Sequence, residues 1–245
     1  MKTRISILVA CLFLFSVASA KYISVSVSDG GSVFGRVTYA GKADLPKKIN
    51  PTTDKSICGA HGPIFSEDLV VDSVGGVQYV VVTLTNITSG KPMFPIGYAA
   101  LDQEGCVYRP HVVVVPLGQK LKISNKDGII HNIHSHSKLN PPFNFAQPGT
   151  VKEIDVNPFT APELIKLTCD VHGWMSGYIW VTEHPYTVVT GKDGSYELPE
   201  IPAGKYKIEF WHETLGKLIQ EIKIEKGKAT KLEIVYPVKE KSVKK

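Results

Sequence analysis

The chain has 245 residues, 43% of them hydrophobic and 9% aromatic, and a formal net charge of +5. Of its 28 Lys and Arg, two lie in the first twenty residues and four in the last seven, so residues 21–238 carry 22 basic against 22 acidic side chains. That balance argues against a basic nucleic-acid-binding surface, and no stretch beyond residue 20 offers the roughly 18 consecutive apolar residues of a membrane span.

In chain order, residues 1–20 read as a cleaved signal peptide. Lys2 and Arg4 form a basic start, "ISILVACLFLF" an apolar run, and "ASA" ending at Ala20 a small-residue cleavage site. Cys11 lies in "LVAC", which resembles a lipoprotein acceptor, but the apolar run continues through Phe15. The reading is therefore a soluble export signal and a periplasmic or otherwise exported protein. Residues 32–50 hold a first strand, "SVFGRVTYAGK", and a Pro/Lys-rich linker; 51–77 form a connector containing Cys58. The block 78–184 is rich in period-two alternation: "QYVVVTLTN" sets Val80, Val82 and Leu84 on one face, and "KLKIS" turns Leu121 and Ile123 inward. A second unit, 185–238, repeats the pattern in "KYKIEF" (Tyr206, Ile208, Phe210) and "KLEIVY" (Leu232, Ile234, Tyr236), with turns at Asp193-Gly194, Ala203-Gly204 and Lys226-Gly227. No helical period persists beyond a turn or two, so the expected fold is all-β, made of sandwiches. The last stretch, 239–245, reads as a disordered Lys-rich tail.

Removing the leader leaves Cys58, Cys106 and Cys169 in an oxidising compartment. An odd number leaves one thiol over; if Cys58 and Cys106 pair, Cys169 remains as a reactive thiol or a ligand. The stretch "LTCDVHGWMSGYIWV" places Cys169, His172 and Met175 at intervals of three in a tight loop between two strands. Thiolate, imidazole and thioether converging on one point suit a soft or borderline metal. A fourth ligand comes from "DGIIHNIHSHSKLN". There, strand alternation puts His131 on one face and His134 and His136 on the other, and His131 is chosen.

His131-Asn132 followed far downstream by Cys-x-x-His-x-x-Met resembles the cupredoxins, the blue-copper family, with the short ligand loop of the amicyanin branch. The resemblance implies a Greek-key cupredoxin β-sandwich over 78–184 and one type 1 copper held by His131, Cys169, His172 and Met175. With those ligands assigned, Cys58 and Cys106 are idle thiols in an exported chain and are expected to pair. The run "DQEGCVYRPHVVVVPLGQKLKISNKD", "PPFNF" and the stretch after residue 184 resemble periplasmic proteins of the methylamine-utilisation-like type. In these a cupredoxin domain is joined to a carboxypeptidase regulatory-like, transthyretin-like β module. The usual first strand of that module, of the form G-x-V-x-G-x-V, is matched by "GSVFGRV" at 31–37. Either the cupredoxin block is inserted into the module, or this strand belongs to the cupredoxin sheet.

The functional expectation is a periplasmic one-electron carrier rather than an enzyme, serving a redox partner such as a cytochrome or a copper oxidoreductase. In cupredoxins the loop histidine reaches the surface, so Trp174 and Phe143 are expected to rim an exposed His172 edge as the docking surface. Two alternatives stand beside it: a copper storage or delivery protein, in which His134 and His136 would matter, and a structural envelope β protein with a zinc site of Cys58, His61, Cys169 and His172. His134 and His136 otherwise read as solvated loop residues, and His61, His111, His184 and His212 are read the same way.

Overall fold

The structure, a computed structural model, describes residues 21–42, 45–93 and 97–238. The expected leader, 1–20, and the tail, 239–245, lie outside the described residues. Two β-sandwiches with separate cores account for nearly all of them. No helix among the described residues is long and apolar enough to cross a membrane.

In the first sandwich, a four-stranded sheet in the order Glu153–Val156, Leu121–Asn125, Ala99–Gln103, Tyr108–Arg109 shares one core with a five-stranded sheet. That second sheet runs Asn144–Gln147, His131–Ser135, Glu163–Thr168, Ser176–Thr182, Val112–Pro116. Alternation makes this core: Leu121 and Ile123 of one sheet and Ile133, Ile165, Leu167 and Ile179 of the other are all fully buried. Each such side chain contributes about 1.5–3 kcal/mol of transfer free energy.

The second sandwich pairs a sheet ordered Thr187–Val189, Val81–Leu84, Gly204–His212, Gly216–Ile224 with one ordered Ser195–Ile201, Gly31–Tyr39, Ala229–Lys231. Ile234–Tyr236 also runs parallel to Gly31–Tyr39. That approach is close: a Cβ on Gly35 would collide with the Leu232 carbonyl oxygen. Gly31–Tyr39 thus pairs entirely within the second sandwich. The chain enters this sandwich twice, before and after forming the first.

The block expected at 78–184 begins too early. Val80, Val82 and Leu84 pack in the second core, and Val81–Leu84 pairs with Gly204–His212 and Thr187–Val189. The strand is buried along its whole length rather than on one face. Its other side carries Thr83, whose Oγ1 lies 2.6 Å from Thr187 Oγ1, itself 3.0 Å from Thr182 Oγ1 of the first sandwich. The two sandwiches cover that face between them. Trp211 of the second adds a ring contact to Tyr178 of the first, centroids 5.1 Å apart.

The connector 51–77 is more than a tether. Its start holds the short helix Lys55–Cys58, and the strand Ile64–Phe65 pairs with Lys48–Ile49. This arm lies on the end of the first sandwich, fixed by the Cys58–Cys106 disulfide.

Candidate metal centre

His131 opens the strand His131–Ser135, whose odd-numbered side chains point inward, so the imidazole is fully buried. Cys169 follows the strand Glu163–Thr168, and the chain returns at Ser176, which pairs with Thr168. The intervening loop is closed by the Cys169 N–H donating to the Met175 carbonyl (3.2 Å) and the Met175 N–H to the His172 carbonyl (2.8 Å). That closure brings residues 169, 172 and 175 together. Cys169, His172 and Met175 are all buried, and Cys169 and Met175 belong to the first core.

The donor atoms converge. His131 Nδ1 and His172 Nδ1 are 3.0 Å apart, and Cys169 Sγ is 3.7 Å from His172 Nδ1. Backbone N–H groups of Asn132 (3.5 Å) and His172 (3.3 Å) point at the sulfur. Each imidazole is anchored at its far nitrogen: His131 Nε2 by Asp127 Oδ2 at 2.8 Å, and His172 Nε2 by Asp54 Oδ2 at 3.0 Å. A carboxylate only accepts, so it places the ring proton on Nε2 and leaves a lone pair on Nδ1. Asp127 is itself held by the N–H groups of Gly105 (2.6 Å) and Cys106 (2.9 Å).

Two imidazole lone pairs 3.0 Å apart repel unless a proton or a cation lies between them. Without a metal the charges arrange accordingly. Burial works against a charged His131, but hydrogen bonds to Asp127 and Cys169 outweigh it and raise its pKa to about 9. Burial also works against the Cys169 thiolate, yet the His131 contact and the surrounding N–H groups lower its pKa. His172 is lowered, first by burial and then by the neighbouring His131, against the opposing Asp54 hydrogen bond. Ligand bonds of about 2.0–2.3 Å around one ion give donor separations of the size observed, so His131, Cys169 and His172 fit a first-row metal of sulfur and imidazole preference.

Two features depart from expectation. The His172 ring edge is not at the surface: the residue is 0% exposed, because Asp54 and the Lys55–Cys58 turn cover it. The zinc alternative also dissolves, since Cys58 is spent in the disulfide and His61 is exposed. A disulfide sulfur nevertheless lies within 4.8 Å of a His172 nitrogen, so the bridge forms part of the wall of the centre.

Trp174 is half-buried rather than an exposed rim; its ring stands 5.2 Å from that of His172 and its Nε1–H donates to the Cys106 carbonyl (3.1 Å). Phe143 stacks on Phe145 at 5.0 Å, and among the described residues no ring contact joins it to Trp174. His134 lies on the outward face of the strand His131–Ser135 rather than in a loop, whereas His136 follows the strand and is exposed, as read. They stack at 4.6 Å, with His134 Nδ1 3.1 Å from Asp170. His111, His184 and His212, read as solvated, are buried.

Sequence reasoning missed both anchoring carboxylates. Asp127 stands four residues before His131 and left a faint signal in "NKDGIIHN". Asp54 is 118 residues from His172, and no local pattern points to it.

No protein-family model matches this sequence, nor does any curated protein. Among solved structures, the chain is similar to a copper-containing nitrite reductase from Thermus scotoductus SA-01, with 22% identity and TM-score 0.33, covering 38% of this chain and 24% of that one. It is also similar to a purple cupredoxin from Nitrosopumilus maritimus, with 22% identity and TM-score 0.30, covering 34% of this chain and 99% of the other. A mutant of amicyanin in its oxidised state gives 18% identity and TM-score 0.32 over 35% of this chain and 83% of that one. The chain spans about a quarter of the nitrite reductase, and these likenesses are too slight to carry an argument about activity.

Proposed function

We propose that this is an exported one-electron carrier with one type 1 copper, which His131, Cys169, His172 and Met175 would hold. The observation that carries the reading is the convergence of two imidazole Nδ1 atoms and one thiolate, with both Nε2 atoms tied back to carboxylates. Copper in such a set would cycle between Cu(II) and Cu(I) with little change of geometry. The chain's own contribution is rigidity. Asp127 and Asp54 fix ring orientation, the loop hydrogen bonds fix Cys169 relative to Met175, and N–H donors beside the sulfur stabilise its negative charge. The buried centre excludes water, and no substrate position is needed for an electron carrier.

The partner in this reading is a redox protein such as a cytochrome or a copper oxidoreductase. Trp174 stands against the His172 ring and also lines a cleft, so it is the proposed exit, with Phe143, stacked on Phe145, as the second proposed docking residue. The covered His172 edge favours one second reading, copper storage or delivery without redox turnover.

The deciding experiment is the optical and spin-resonance spectrum of copper-loaded mature protein, followed by stopped-flow oxidation. An intense thiolate-to-copper absorption, abolished by Cys169→Ser, is expected, because a hydroxyl neither ionises near neutral pH nor supplies soft sulfur. Colourless protein with a full complement of copper would refute the type 1 reading. Coloured protein that exchanges no electrons would shift the assignment to storage.

A further inference from the structure

Both histidines of the candidate centre share one device: Nε2 bonded to a carboxylate, Nδ1 turned to the site. A third histidine, outside that centre, is built the same way. His111 lies between the strands Tyr108–Arg109 and Val112–Pro116 and is 2% exposed. Its backbone is pinned by the Tyr178 N–H donating to its carbonyl at 2.8 Å. Its Nε2 hydrogen-bonds Glu213 Oε1, which reaches across from the second sandwich. The carboxylate accepts, so Nε2 carries the proton and Nδ1 presents a lone pair.

That Nδ1 is buried and has no hydrogen-bond partner among the described residues. A buried acceptor left unsatisfied is costly, and native proteins keep few of them. Glu67 Oε2 stands 3.8 Å away, too far for a hydrogen bond. The other oxygen, Oε1, accepts from the Tyr79 hydroxyl at 2.7 Å, which holds the carboxylate in place. His111 and Glu67 both line a cleft of about 610 Å³, which Asp68, Trp174 and Met175 also line.

We propose that His111 Nδ1 and Glu67 Oε2 hold a second metal ion, a divalent first-row cation at the floor of this cleft, with Glu213 orienting the imidazole. Donors 2.0–2.2 Å from a tetrahedral ion stand ~3.4 Å apart, so a movement of a few tenths of an ångström by the flexible Glu67 side chain closes the gap. Imidazole with carboxylate selects Zn(II) or Cu(II) over Cu(I), which prefers sulfur. The carboxylate–histidine arrangement is the one metal-ligating histidines ordinarily show. Water entering from the cleft is available for the remaining positions. Nothing here depends on copper at the first centre, because the two sites share no ligand residue.

Titrating the mature chain, free of any affinity tag, with Co(II) under anaerobic conditions separates the sites. Binding at Cys169 produces thiolate charge-transfer absorption; its absence bears on the copper reading alone. The proposed site is a further equivalent showing d–d bands without thiolate absorption. That equivalent should be lost in His111→Ala and in Glu67→Gln, should persist in His134→Ala/His136→Ala, and should bind about 10–100-fold more weakly in Glu213→Gln. Circular dichroism of Glu67→Gln, a change at a partly exposed side chain, guards against misfolding as the cause. Absence of the equivalent, or its retention in either His111→Ala or Glu67→Gln, overturns the proposal.

Discussion

Replacing both Cys58 and Cys106 by Ala tests how the arm is held on the candidate metal centre. The bridge joins positions 48 residues apart in sequence. On the chain-entropy account, a loop of that length removes about 4 kcal/mol of conformational freedom from the unfolded ensemble at 25 °C. Both cysteines are fully buried, so small cavities add to the loss. With a urea dependence of about 2 kcal/mol per molar, the unfolding midpoint should fall by ~2 M. The assay is equilibrium urea unfolding of metal-free protein, so that ligand binding adds nothing, followed by tryptophan fluorescence and by hydrogen exchange of residues 51–66. A midpoint shift below about 0.5 M with the arm's exchange unchanged would show that the other contacts hold the arm unaided. The entropic argument would then be wrong for this chain.

Asp54→Ala removes the acceptor from a buried His172 Nε2, which should cost about 1–3 kcal/mol and lower metal affinity about 10–100-fold; calorimetric titration of the metal checks it, and unchanged affinity would mean that His172 is oriented by its loop alone. Met175→Leu should keep the copper colour and raise the reduction potential, because a weak axial donor stabilises Cu(II) more than Cu(I); an unchanged potential in voltammetry would assign Met175 to packing. Trp174→Ala should slow electron transfer to the native partner and, since the ring is half-buried on the first core, cost roughly 2 kcal/mol. A larger loss of stability with an unchanged transfer rate would make the residue purely structural.

Local pattern settled much of this protein in advance. Period-two alternation identified the strands carrying Leu121, Ile123, Ile208 and Phe210, because a strand with one face on a core must alternate. The same period separated buried His131 from outward-facing His134 on one strand, with exposed His136 just beyond its end. The three-residue spacing of Cys169, His172 and Met175 was legible because a single short loop brings them together.

Tertiary structure decided what alternation cannot encode. Val81–Leu84 reads like any half-buried strand, yet it joins the second sandwich and is covered on both faces, since partner choice depends on chain segments more than a hundred residues away. The strand Gly31–Tyr39 finds its partners near residues 195 and 230 for the same reason. Asp54 reaches His172, and Glu213 reaches His111, only because folding brings distant loops together, and neither carboxylate belongs to a local motif. The choice of candidate ligands is a short-range property of one loop and one strand. Ring orientation, exposure of the His172 edge and any second metal position are long-range properties, fixed by which surfaces the fold presses together.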